Sequence, residues 1–99
     1  MEDIYVLLLG SKYRELDKYP ANVIKIIDLA VKAYEAAKMQ DAETLAFVMI
    51  ELKKFINFAF LSPQKEDLLQ AIAAIEKSTT YQGFLENFRG FIKIALKTV

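Results

Sequence analysis

Acidic and basic side chains alternate along one side of the second of five predicted helices. These side chains are the first candidates for metal binding or acid–base chemistry. Lys25, Asp28, Lys32 and Glu35 follow one another at intervals of three or four residues, which places them along one line of a helix. Two carboxylates two turns apart could ligate a metal ion or act as an acid and base pair. Each acid has its own lysine neighbours, however, as in a solvated helix surface with weak ion pairs. We therefore predict a solvent-exposed charged stripe and no metal site.

The residue types that most often perform catalysis are missing from this chain. It contains no histidine and no cysteine, so it lacks the usual general base near neutral pH, imidazole and thiolate ligands for zinc, and disulfides. No glycine-rich phosphate loop and no pairing of a nucleophile with a base is visible. We expect no catalytic residues, no cofactor and no enzymatic activity.

A second group of charges lies on the last predicted helix, where Arg89, Lys93 and Lys97 form a basic ridge at four-residue spacing. Such a ridge could contact the phosphates of a nucleic acid. Cations in a last helical turn are also favoured by the helix dipole, and three charges supply only modest salt-dependent affinity. Nucleic-acid binding through this ridge is therefore an alternative function and not the favoured one.

The composition indicates which secondary structure carries these charged residues. Among 99 residues, 55% are hydrophobic and only three are glycine and two proline, which is too apolar for disorder and too poor in turn formers for an all-β fold. The pattern predicts an all-α, compact, single-domain bundle over residues 1–99, built of four to five antiparallel helices with short loops. The helices are expected at about 3–18, 21–39, 42–61, 63–78 and 81–97.

Capping residues support these boundaries. Pro20 fits the first turn of the second helix, Asp41 can cap the third, and Thr79 or Thr80 can cap the fifth. Ser62 followed by Pro63 predicts an N-cap with proline at the first helical position of the fourth helix.

The first segment is ambiguous, because its apolar run over residues 4–9 could be a helix or a buried strand. The remainder of the chain offers no second strand for it to pair with, and a lone strand leaves backbone groups without hydrogen bonds. We interpret the segment as a helix.

The third predicted helix carries more large apolar side chains than its core face requires. Leu52 and Phe55 belong to the core face, whereas Phe47 and Phe58 lie on the far side, flanking Glu51 and Lys54, with Ile50 and Leu61 beside them. The two phenylalanines could be buried under the first helix, could form an interface with another copy or another protein, or could line a pocket for an apolar ligand.

The charges balance, with thirteen basic and thirteen acidic residues, and no charged tail points to nucleic acid or membrane. The amino terminus resembles neither a secretory signal nor a membrane span, so we expect a cytoplasmic protein without membrane association. The most economical interpretation is a helical interaction or assembly module. Its partner would be a second copy, giving a homodimer, or another protein, bound through Phe47, Ile50, Glu51, Lys54, Phe58 and Leu61.

Overall fold

The computed structural model describes the backbone of residues 4–97 and, within that range, all side chains except those of residues 4, 5 and 11–13. This part of the chain contains five α-helices and one 3₁₀ segment, and no strand. The elements follow one another as α1 (Ile4–Leu9), the 3₁₀ segment (Gly10–Lys18), α2 (Ala21–Lys38), α3 (Ala42–Ala59), α4 (Gln64–Glu76) and α5 (Tyr81–Lys97). The predicted all-α fold is therefore confirmed.

The first segment differs from the prediction of one helix over residues 3–18. Residues 4–9 are helical, as interpreted from the sequence, but the α-helix stops at Leu9 and the chain continues as a 3₁₀ helix. Gly10 adopts φ +62°, a left-handed conformation that glycine tolerates and that an α-helix cannot include. Residue 3, the predicted start, lies outside the described residues.

Helix ends elsewhere follow the local capping chemistry. The backbone amide of Thr44 donates to Asp41 Oδ1 over 3.1 Å, and that of Gly83 donates to Thr80 Oγ1 over 3.0 Å, so two predicted caps are confirmed. Pro20 lies immediately before α2, where its carbonyl accepts hydrogen bonds from the first turn.

The predicted start of α4 is wrong in detail. The helix begins at Gln64, after a cis peptide bond between Ser62 and Pro63. The Ser62 hydroxyl donates to the Glu66 carboxylate over 2.7 Å, so it bonds to a side chain and does not cap a backbone amide.

The helices pack as two hairpins, α2 with α3 and α4 with α5, and α2 also packs on α5. The Cα radius of gyration of 12.5 Å matches the roughly 13 Å of a compact domain of this length. A single cluster of apolar side chains fills the centre; its largest fully buried members are Tyr34, Phe88, Phe91, Ile26, Ile27, Leu52, Ile56, Leu68, Ile72 and Ile92. The short α1 packs against α5 and α2. It therefore does not cover the outer side of α3.

Candidate protein interface

The side of α3 that faces away from the core carries large apolar side chains that are open to solvent. Phe47 is 64% exposed and Phe58 is 87% exposed; Ile50 on the same helix and Leu61 just beyond it are exposed as well. The hypothesis that α1 buries the two phenylalanines is wrong, because α1 packs on other helices. The core does not need these side chains, since Leu52 and Ile56 on the opposite side of α3 are fully buried.

Four of the six predicted interface residues lie together beside a shallow groove of about 400 Å³ between α2 and α3. Phe47, Glu51, Lys54 and Phe58 line this groove with Phe55 and two residues of α2, Lys25 and Leu29. We call Phe47, Glu51, Lys54 and Phe58 the α3 strip. Their spacing of four, three and four residues keeps them within about 60° of one another around the helix axis, so one flat partner could contact all four.

Phe58 contacts an aromatic neighbour beside the groove. The rings of Phe55 and Phe58 lie 6.5 Å apart between centroids, within the range of favourable aromatic pairs. Lys25 Nζ lies 5.4 Å from the centroid of the Phe55 ring, as in a cation–π contact. Phe58 therefore rests against a supported neighbour on one side and presents the rest of its ring to solvent.

The two charges of the α3 strip are only loosely paired. Lys54 Nζ and Glu51 Oε2 are 4.0 Å apart, and their side chains are 74% and 44% exposed. Exposed pairs of this kind contribute little to stability. Both side chains therefore remain available to charges of a binding partner.

Ile50 and Leu61 do not join the α3 strip. Ile50 lines a different groove, of about 470 Å³, together with residues of α4 and α5 such as Ile75 and Phe84. Leu61 follows Phe60, whose backbone is extended (φ −120°, ψ 145°), so Leu61 lies beyond the helix and not on its face. The sequence placed Leu61 beside the strip because it extended the helix to residue 61, whereas Ile50 does lie on α3 but lines the other groove.

The basic ridge of α5 borders an apolar cavity instead of a broad open surface. Arg89, Lys93 and Lys97 line a space of about 890 Å³ between α1 and α5, whose walls include Leu7, Ile92 and Leu96. Arg89 Nε and Nη2 donate to the Leu7 carbonyl over 3.3 and 3.2 Å, so this guanidinium already fastens α1 to α5. Lys93 and Lys97 are exposed.

The structure also pairs two tyrosines that the sequence did not connect. The hydroxyls of Tyr34 on α2 and Tyr81 on α5 are 2.6 Å apart, and the Tyr34 ring packs edge-on against Phe88 at 5.6 Å. Burial, followed by the hydrogen bond to Tyr81, raises the pKa of Tyr34 to about 12. A neutral phenol with this pKa acts as a hydrogen-bonding core residue near pH 7. No local signal could reveal the pair, because the residues are 47 positions apart.

The acids of the charged stripe on α2 do not converge on a metal site. Within residues 4–97, no three acidic side chains are close enough to hold a metal ion. Glu35 is exposed and Asp28 is half-buried.

Across the same range, every helix is too short or too polar to traverse a lipid bilayer.

Comparison with known proteins found no match that would suggest a function for this chain. The chain matches no protein-family profile, no curated protein and no solved structure. Its own surface is therefore the guide to its function.

Proposed function

We propose that this protein is a non-enzymatic, cytoplasmic helical module that self-associates, most simply as a homodimer, through the outer face of α3. One observation carries the proposal: two phenylalanines on the α3 strip, Phe47 and Phe58, are 64% and 87% exposed although the core beneath them is already complete. Exposed apolar side chains that line one groove and that the fold does not need are a usual mark of a binding surface.

The available apolar area suits a reversible interface. With about 200 Å² for a phenylalanine side chain, the exposed fractions of Phe47 and Phe58 correspond to roughly 300 Å² on each chain, or roughly 600 Å² for a pair. Stable interfaces bury about 1,200–2,000 Å² in total, so the groove residues around the strip must contribute the remainder. We therefore expect a dimer in exchange with its monomer and not an obligate assembly.

The alternative function, nucleic-acid binding through Arg89, Lys93 and Lys97, has weaker support. The guanidinium of Arg89 donates to the Leu7 carbonyl, so this exposed cation is less able to turn towards a phosphate than Lys93 and Lys97. Two or three phosphate contacts supply little affinity at physiological salt.

The proposal is tested by the molar mass of the protein across a concentration series, measured by sedimentation. The parent should shift from monomer to dimer as its concentration rises, and Phe47→Ser/Phe58→Ser should remain monomeric with an unchanged far-ultraviolet circular dichroism spectrum. Met39→Ser is the matched control, because Met39 is 76% exposed but lies outside the outer face of α3. A parent that stays monomeric throughout, or a double serine variant that still dimerises like the parent, would show that the proposal is wrong.

A further inference from the structure

The order of residue classes along the α3 strip is the same in both directions: aromatic, charged, charged, aromatic. Phenylalanines stand at its two ends, Phe47 and Phe58, and opposite charges stand inside them, Glu51 and Lys54. The midpoint of the outer pair and the midpoint of the inner pair coincide, between Leu52 and Lys53. A helix face with this arrangement is complementary to a copy of itself that runs in the opposite direction.

Building on the proposed function, we propose that the partner of the α3 strip is a second copy of this chain, with the two α3 helices antiparallel about a two-fold axis that passes between residues 52 and 53. In this register Phe47 packs against the partner's Phe58, and Glu51 pairs with the partner's Lys54. A two-fold axis repeats each of these contacts, because an isologous interface uses the same patch on both subunits.

The charges select this orientation over the parallel one. Parallel helices in register would place Glu51 against the partner's Glu51 and Lys54 against the partner's Lys54, and like charges across an interface oppose association. Antiparallel helices replace both repulsions with attractions. The 4.0 Å separation of Lys54 Nζ and Glu51 Oε2 within one chain leaves both side chains able to turn towards the partner.

The spacing of the strip allows all four contacts to form together. Phe47 and Phe58 are eleven residues apart, or about 16 Å along the helix, and the intervals of four, three and four residues are those of a packed helix–helix seam. The aromatic residues at the ends supply apolar contact area, while the charged pair at the centre fixes the register, as polar residues do in coiled-coil seams.

Charge reversal tests this register directly. Glu51→Lys and Lys54→Glu each convert two attractions across the interface into two repulsions. Each should therefore weaken dimerisation by about tenfold or more. A tenfold change corresponds to about 1.4 kcal/mol. The double variant Glu51→Lys/Lys54→Glu restores opposite charges across the axis and should dimerise about as well as the parent. An equimolar mixture of the two single variants should form a mixed dimer of parent-like affinity.

Net charge is controlled by reversals on the exposed stripe of α2. Glu35→Lys and Lys32→Glu change the net charge by the same amounts as the two interface variants, both side chains are exposed, and neither lines the groove beside the α3 strip. They should leave the dimerisation constant nearly unchanged. Far-ultraviolet circular dichroism of every variant verifies folding, and the double variant keeps the test decisive if one single variant folds poorly.

The outcomes separate this inference from the proposed function. If Phe47→Ser/Phe58→Ser abolishes a parental dimer but Glu51→Lys and Lys54→Glu behave like their controls, the surface is the interface and the antiparallel register is wrong. Single variants that match the parent, together with a mixture that associates more tightly than the parent, would indicate parallel helices. A parent that is monomeric at all concentrations would overturn both proposals.

Discussion

Truncation of Leu52 tests the division of α3 into a core side and an interface side. Leu52 is fully buried in the central apolar cluster, whereas Leu61, two residues beyond the end of α3, is 81% exposed. Leu52→Ala and Leu61→Ala remove the same three carbon atoms from these two environments. Any difference in stability between the variants therefore reports burial and not the chemistry of the substitution.

The magnitude follows from the buried carbons. Transfer of three methylene-sized groups from the interior to water costs about 2.5 kcal/mol at about 0.8 kcal/mol each, and the cavity left behind adds to this cost, so Leu52→Ala should lower the free energy of unfolding by about 2–5 kcal/mol. For a domain of this size, that corresponds to a fall in Tm of roughly 10–30 °C. Leu61→Ala should change the free energy of unfolding by less than about 0.5 kcal/mol.

The measurement is urea unfolding followed by far-ultraviolet circular dichroism, at a protein concentration low enough for the parent to be monomeric. The slope of the unfolding free energy against urea should be the same for all three proteins, so that a shift in midpoint reports stability alone. Equal losses of stability for Leu52→Ala and Leu61→Ala, or no loss for Leu52→Ala, would refute the assignment of the core and with it the argument that the outer face of α3 is surplus to folding.

Two further predictions concern the tyrosine pair and the basic ridge. The folded-state pKa of Tyr34 is raised from 10.0 to about 12, so its contribution to stability is fully present below pH 10 and is lost as the pH rises through 12, by up to roughly 3 kcal/mol. When unfolding is measured from pH 9 to 12, the free energy of unfolding should therefore fall less steeply with pH for Tyr34→Phe than for the parent. Parallel curves for the two proteins would contradict the assignment. If the ridge binds phosphates, affinity for a duplex should fall steeply with salt and Lys93→Ala should weaken it for all sequences alike, but we expect no tight binding near physiological salt. Submicromolar affinity at physiological salt, with a salt dependence larger than three charges can give, would favour the nucleic-acid alternative.

Much of the secondary structure could be predicted from the sequence because its causes are local. Apolar periodicity defines α2 to α5 to within a few residues, and Asp41 and Thr80 mark two helix starts through hydrogen bonds to amides three residues away. The break at Gly10 was also local, but an apolar run of six residues with no cap gave no indication that the chain would tighten into a 3₁₀ helix. Likewise, the sequence alone singled out the four residues of the α3 strip, since the helical repeat places them on one face.

The sequence could not decide what covers each face, because that depends on contacts between residues far apart in the chain. Burial of Phe47 under the first segment was consistent with the pattern, and only the packing of α1 against α5 leaves this phenylalanine exposed. The sequence placed Arg89 in a basic ridge, and only the fold shows that its guanidinium also donates to the Leu7 carbonyl, 82 positions away. Periodicity and caps determine where helices form, whereas competition among several apolar faces for one core determines which side chains remain at the surface, and only the tertiary structure records that outcome.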